Sequence, residues 1–441
     1  MIIFVEMVQV KCTSVNADTS VRFCLTNWPM LNSLLPSSGF LGILLGGNIY
    51  LNRFYRQADQ FLLPLAGLLS GFGILMAIRL GPTLSPPIPA LGIKQFLYTF
   101  VSMSVCLITL PVLCHIHLLA RYKYTWVFLC LLLLMPSVIN GITSFTSGLP
   151  THDAILLGPI QFQPSEFLKI SLTIFFAGYL DEHRDVIRGA FHAGRIYLPP
   201  FRRIGPMLLM LGVALSFFLL VRELGIALLI YVIFLALTYL GTGKLSYALV
   251  NMGILVLLAF IGYALFRYVR LRFATVGVNV VHWTAASQKA YNARGGALQI
   301  VQGLIALSSG GMLGAGLGLG SPGYVPVAQT DMVFTAFGEE FGWVGVIAIL
   351  CVFLLLVYRG LRIALEATDT FSQLLAAGLT SIFAIQTVLI CACDMNFLPL
   401  TGLPLPFLSA GGSSLITNFI MIGILLRISH NTAMQREGMK A

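Results

Sequence analysis

Long apolar runs follow one another along nearly the whole chain, separated by short polar stretches. A helix needs about 20 mostly apolar residues to cross a bilayer. Ten runs approach or exceed that length, at 60–79, 95–114, 124–142, 165–180, 205–221, 223–241, 245–266, 332–357, 371–393 and 407–429. A shorter run, 38–52, is a candidate for an extra N-terminal helix. The pattern predicts an all-α polytopic membrane protein. Its ten-helix core covers 60–430, after an N-terminal tail over 1–59 and before a cytoplasmic tail over 431–441. Between the seventh and eighth core helices the spanning runs stop, and 267–330 reads as a long loop.

Composition agrees with this pattern. Of 441 residues 58% are apolar and 10% charged, against about a quarter charged in a soluble domain. The net charge of +10 suggests nucleic acid, but the basic residues are scattered and form no stripe. Cytoplasmic loops of membrane proteins collect Lys and Arg, so the charge speaks for membrane lipids and against nucleic acid as a partner. The eight cysteines follow neither a disulfide nor a zinc spacing. Cys391 and Cys393 read as small buried residues, and His115 and His117 as a helix end.

Lys and Arg also set the orientation. With the loop before residue 60 inside, the inside loops hold Arg53, Arg56, Arg121, Lys123, Arg359, Arg362, Arg427 and Arg436. The loops at 143–164 and 394–406 then lie outside and hold no Lys or Arg. The 267–330 loop also lies outside, yet carries Arg267, Arg270, Arg272, Lys289 and Arg294. An anionic substrate is one explanation; lipid headgroups are the other.

Two further segments converge on that outer face. Gln163-Pro164-Ser165-Glu166-Phe167-Leu168-Lys169 enters a helix, with Pro164 where a first-turn residue has no N–H partner to lose. Glu166 and Lys169 are three apart and share a helix face. The pair either pins helices together or lines a polar cavity. Leu398–Ser414 carries three prolines and three glycines. Irregular backbone at membrane depth persists only where protein or a water-filled cavity satisfies it.

Taken in order, these motifs resemble the SEDS family of cell-wall polymerases, the FtsW, RodA and SpoVE group. The matching pieces are Gln163–Lys169, Arg222-Glu223-Leu224-Gly225, and Gln299 with the Ser309–Gly318 glycine run. To them are added Thr330-Asp331, Gly338-Glu339-Glu340-Phe341-Gly342, and Leu398–Gly402 through Ser409–Ser414. The resemblance implies a SEDS ten-helix core and a peptidoglycan glycosyltransferase at the outer face of the bacterial cytoplasmic membrane. Its substrate would be lipid II, the undecaprenyl-diphosphate-linked disaccharide-pentapeptide. The implied partner is a class B penicillin-binding protein, a transpeptidase. The implied cofactor is a divalent cation, Mg or Mn. Glu166, Lys169, Arg270, Arg272, Gln299, Glu340 and Ser413 become candidate substrate-binding residues, with Arg270 and Arg272 assigned to the diphosphate.

Such a transfer needs a base to take the proton from the acceptor hydroxyl. The family carries it in a Trp-x-Asp motif upstream of the residue matched by Gln299. Here the corresponding stretch is Trp283-Thr284-Ala285, so alanine stands at the expected Asp position. No Asp or Glu occurs between Arg272 and Ala328. Losing a general base typically costs about 10²–10⁴-fold in rate. Three readings stay open: an inactivated enzyme, a non-catalytic scaffold for the transpeptidase, or a base supplied elsewhere. For the last, Asp331 comes first, ahead of Glu166 and His282; its bland alternative is to cap the helix beginning near 332. A lipid II flippase is the alternative from another class. Transporters often repeat their broken helices in two halves, and no such repeat appears here.

Overall fold

The computed structural model describes residues 29–84, 86–147, 155–157, 160–188, 191–193, 196–198, 201–276, 278, 288, 291 and 297–438. The described residues are helical almost throughout. In order the helices are α1 (Pro29–Phe54), α2 (Leu62–Leu80), α3 (Leu91–Val112), the short α4 (His117–Arg121), α5 (Lys123–Ser147) and α6 (Pro164–Arg188). They continue as α7 (Phe201–Val221), α8 (Leu224–Thr242), α9 (Leu245–Leu265), α10 (Arg267–Val276) and α11 (Ala297–Ser309). The last three are α12 (Val333–Glu366), α13 (Thr370–Asp394) and α14 (Gly412–Gly438). Two three-residue antiparallel hairpins interrupt the series, β1 (Ile155–Leu157) with β2 (Ile160–Phe162), and β3 (Phe191–Ala193) with β4 (Ile196–Leu198).

Among the described residues, seven helices are long and apolar enough to cross a membrane: α2, α3, α8, α9, α12, α13 and α14. The chain is therefore a multi-pass membrane protein. Mean hydropathy is what separates these seven from α6. That helix carries Glu166, Lys169, Asp181, Glu182, Arg184, Asp185 and Arg188, yet its N-terminal half is buried in the bundle. Pro164 opens it, at the position where a missing N–H costs least.

Helices α13 and α14 lie at the centre, with most of their length wrapped by neighbours, whereas α9 is almost wholly exposed on the periphery. Helix α14 packs along α3, α12 along α13, and α6 against α5, α8 and α13. Phe175, Phe176, Phe234, Phe383, Phe407 and Phe419 fill the space between them, each less than 2% exposed.

The 267–330 stretch is less of a loop than its pattern suggests. It contains α10, α11 and a 3-10 turn at Pro322–Tyr324. Helix α11 is apolar but has 13 residues, too few to span, so a search for spanning runs passes over it. The capping role considered for Asp331 is not found. The N-cap of α12 is Met332, and no side chain bonds there.

Helix α12 itself is broken. Gly342 has φ 66° and ψ −173°, which interrupts the ladder between two helical halves. The glycine run takes over the bonding that the break removes. Ala315 N donates to Glu339 O at 2.9 Å and Gly316 N to Glu340 O at 3.1 Å. Beyond the break, Trp343 N donates to Gly311 O at 3.0 Å and Val344 N to Met312 O at 3.1 Å. Backbone groups in such surroundings must find partners inside the protein, and here a neighbouring loop supplies them.

Candidate active site

The segment linking α13 to α14, residues 395–411, is the hub of one end of the bundle. Its prolines, Pro399, Pro404 and Pro406, give no N–H, and four side chains from three helices hold its carbonyl oxygens. Arg272 Nη1 donates to Leu400 O at 3.0 Å and to Thr401 O at 3.2 Å. Gln386 Nε2 donates to Pro404 O at 2.7 Å, and Gln95 Nε2 to Ser409 O at 3.2 Å. Cys393 Sγ donates to Pro399 O at 3.2 Å. Ser409 Oγ donates to Thr330 O at 2.6 Å and accepts from Leu405 N at 2.7 Å. Gly225 lets the segment lie flat on α8, because a side chain there would meet Thr401 O at 2.6 Å.

Two charged side chains meet at the Leu400–Gly402 turn, and a third, Asp394, lies near them. Asp331 reaches it from the start of α12, with Oδ2 3.6 Å from where a Cβ on Gly402 would stand. Burial pushes its carboxyl above the usual aspartate value; the Thr330 hydroxyl and the Arg272 guanidinium pull the other way. Arg272 comes from α10. Asp394 closes α13, is 1% exposed, and its Oδ2 has no hydrogen-bond partner. It lies within electrostatic reach of Asp331.

Arg270 is not part of this cluster. Residues two apart on a helix face different ways. Arg272 turns to the hub while Arg270 is exposed. The two arginines grouped by sequence therefore separate.

Glu166 and Lys169 form a buried ion pair at 2.6 Å, each side chain 1% exposed. Lys169 Nζ also donates to Gln386 Oε1 at 3.2 Å, and Thr417 Oγ1 donates to Glu166 Oε2 at 3.3 Å. Ser413 belongs to the same neighbourhood, its Oγ accepting from Gln163 N at 3.0 Å. The pair thus joins α6, α13 and α14, and through Gln386 it reaches the hub.

Glu340 lies elsewhere, at the break in α12. Arg79 Nε donates to its Oε1 at 2.7 Å, while Arg79 Nη2 donates to Gly320 O at 2.9 Å. Glu339 Oε1 accepts from Ser321 N at 2.7 Å. Of two adjacent glutamates, one thus bonds to backbone and the other to a cation, which the sequence leaves undecided. Gln299 is partly buried on α11, and its Nε2 has no partner among the described residues.

Sequence reasoning missed Arg79, Gln386, Asp394 and Thr417. Each of the first three left a trace. Arg79 ends an apolar run, Gln386 is the amide in the middle of another, and Asp394 closes it. His282, Trp283 and Ala285 lie outside the described residues. Among the described residues no group of three or more His, Cys, Asp or Glu side chains gathers to hold a metal.

Comparisons with known proteins meet this geometry at the level of the whole chain. Residues 61–434 match the FtsW, RodA and SpoVE family model, described as cell cycle protein. The peptidoglycan glycosyltransferase RodA of Mycobacterium tuberculosis is 34% identical over 424 residues, covering 94% of this chain and 85% of the relative. The probable peptidoglycan glycosyltransferase FtsW of Trichlorobacter lovleyi is 31% identical over 391 residues, covering 86% and 95%. Among solved structures, one of a peptidoglycan synthase complex that coordinates polymerization and crosslinking superposes with TM-score 0.62 at 23% identity, covering 85% of this chain and 98% of that one. The rod shape determining protein RodA of Thermus thermophilus gives TM-score 0.55 at 22% identity, covering 85% and 97%. This chain belongs to the FtsW, RodA and SpoVE family.

Proposed function

We propose that this chain is a peptidoglycan glycosyltransferase that polymerises lipid II at the outer face of the cytoplasmic membrane. The relatives that it matches over most of its length carry that activity in their names. The observation that carries the reading is the meeting of Asp331 and Arg272 at the Leu400–Gly402 turn. A carboxylate and a guanidinium are the two groups that a diphosphate-releasing sugar transfer needs side by side. The opposite end of the bundle holds the Arg359–Asp59 and Arg362–Glu366 pairs and Arg436. Basic residues there support that end as cytoplasmic, which turns the Asp331 end outward.

In the proposed reaction the acceptor hydroxyl attacks the donor's anomeric carbon with inversion. Its O–H bond breaks and the proton passes to the Asp331 carboxylate. A C–O bond forms at the anomeric carbon, the bond from that carbon to the diphosphate breaks, and the electron pair leaves with the lipid diphosphate. Arg272 spends Nη1 on the hub carbonyls. A guanidinium has five N–H donors in all, and among the described residues nothing occupies Nε or Nη2, which are available for a phosphate oxygen. Burial of Asp331 suits a base, because a raised carboxyl accepts a proton more readily.

A divalent cation fits one residue of this site. Mg²⁺ is usually held by one or two carboxylates together with substrate phosphates. The unpartnered Asp394 Oδ2 offers a hard oxygen donor of that kind. When bound, the ion would supply positive charge for the departing diphosphate.

Ala285 favours a second reading, a scaffold that activates a class B penicillin-binding protein without polymerising. Polymerisation of lipid II by the purified chain, by Asp331→Asn and by Ala285→Asp separates the two. Synthesis by the unaltered chain that Asp331→Asn abolishes supports Asp331 as the base. Synthesis only by Ala285→Asp makes this chain a disabled polymerase. No synthesis by any of them, with a transpeptidase still bound, favours the scaffold.

A further inference from the structure

Residues 295–330 contain no Asp, Glu, Lys, Arg or His. That is unexpected for a stretch set between spanning helices on the aqueous side. Its outward surface is apolar as well. Leu313 is 82% exposed, Tyr324 79%, Leu319 70% and Met312 68%. Soluble surfaces rarely expose so many large apolar side chains in so short a stretch.

The stretch adjoins an exposed apolar stripe on α12, a helix long and apolar enough to cross a membrane. Val344 and Ile347 are exposed on α12, and three- and four-residue steps carry the same exposed stripe to Cys351, Leu354, Leu355 and Tyr358. Met312 O accepts from Val344 N at 3.1 Å, so the glycine loop sits directly on the end of that stripe. The loop backbone is also prepared for a medium without water. Gly310 N donates to Ala306 O, Gly314 N to Gly310 O, Ala315 N to Glu339 O, Gly316 N to Glu340 O and Leu319 N to Gly316 O. Its charged support, the Arg79–Glu340 pair, lies beneath it, the side chains 10% and 0% exposed. Helix α11, apolar and 13 residues long, has the length of a re-entrant or interfacial segment.

We propose that α11 and the loop over 310–327 form a re-entrant unit whose Met312, Leu313 and Leu319 side chains sit in the bilayer leaflet on the Asp331 side. Tyr324 marks the interface, where amphipathic aromatic rings collect. Asp331, four residues beyond Val327, then lies at headgroup depth and not above the membrane. The proposal concerns the membrane and holds whether or not the chain polymerises.

Site-directed spin labelling of the full chain in phosphatidylethanolamine and phosphatidylglycerol nanodiscs tests it. Labels go at Leu313→Cys and Leu319→Cys in a cysteine-free background. Leu257→Cys on α9 is the lipid reference and Arg436→Cys the aqueous one. Collision with oxygen exceeding collision with a nickel chelate, as at Leu257→Cys, is the expected result. Nickel contact matching Arg436→Cys overturns the proposal in favour of an aqueous loop. Low contact with both reagents overturns it in favour of a covering protein surface. Should the cysteine-free background fail to fold, Leu313→Trp in the otherwise unchanged chain reads the same question. Lipids brominated in their acyl chains should then quench the added fluorescence, and unquenched added fluorescence counts against immersion.

Discussion

Gln386 holds Lys169 with its carbonyl oxygen at 3.2 Å and the Pro404 carbonyl with its amide at 2.7 Å. One buried side chain thereby couples the Glu166–Lys169 pair to the hub at 395–411. Gln386→Leu strips the donor from Pro404 O. A buried polar group left unpaired costs about 1–3 kcal/mol. The expected result is a lower thermal unfolding midpoint, together with reduced polymerisation because the Leu400–Gly402 turn loosens.

Removing one member of the ion pair should cost more than removing both. Glu166→Ala leaves an ammonium buried without its carboxylate, which typically costs about 3–5 kcal/mol. The double variant Glu166→Gln/Lys169→Met leaves no net charge and should unfold closer to the unaltered protein. A double variant as unstable as Glu166→Ala would rule out pairing as the main role of Lys169.

Arg79 and Glu340 join α2 to α12 across 261 residues of sequence. Arg79→Gln and Glu340→Gln should each destabilise, with a coupling energy of about 0.5–3 kcal/mol in a double-mutant cycle. Additive effects would place the two groups in separate environments.

Gly342→Ala puts a side chain on a residue at φ 66°, where it would overlap the backbone of Gly314 and Met312. The backbone strain alone is about 1–3 kcal/mol. Loss of folded protein on size-exclusion chromatography is the expected outcome. A stable, monodisperse Gly342→Ala would mean that the loop and the break are not interlocked.

The pH profile follows from the raised carboxyl of Asp331. Its charged form is disfavoured in the folded site, so stability is lost as pH rises from 3.8 through the raised value and is fully regained below 3.8. A base works in the opposite sense, since protonation disables it. The acid limb of polymerisation should therefore fall above pH 3.8. Arg272→Gln removes a nearby positive charge and should move that limb further up. A limb that does not respond to Arg272→Gln would detach the titration from Asp331.

Much of this fold was legible because lipid imposes length and polarity on every crossing. The i, i+3 spacing places Glu166 and Lys169 on one face, and the prolines mark 398–406 as irregular. What stayed hidden depended on distance along the chain or on small counts. Nothing local pairs Arg79 with Glu340. Helix α11 is too short to register as spanning and too apolar to stand out as a loop. Asp394 reads as the end of a run, and only the folded chain brings it within electrostatic reach of Asp331. Arg270 and Arg272 looked equivalent because sequence proximity hides that a helix turns them apart.

The hub at 395–411 is gripped mainly by its carbonyl oxygens, which every residue type offers alike. The donors, Arg272, Gln386 and Gln95, are specific side chains on other elements. The carbonyl part of the grip is thus written on one partner alone. Outside its prolines, its buried Leu403, Leu405, Phe407 and Leu408, the bonding Ser409 and the close approach to Gly225, the segment can change its side chains without losing that grip, so random substitution should find its tolerant positions there and intolerant ones at the donors on the three helices that hold it.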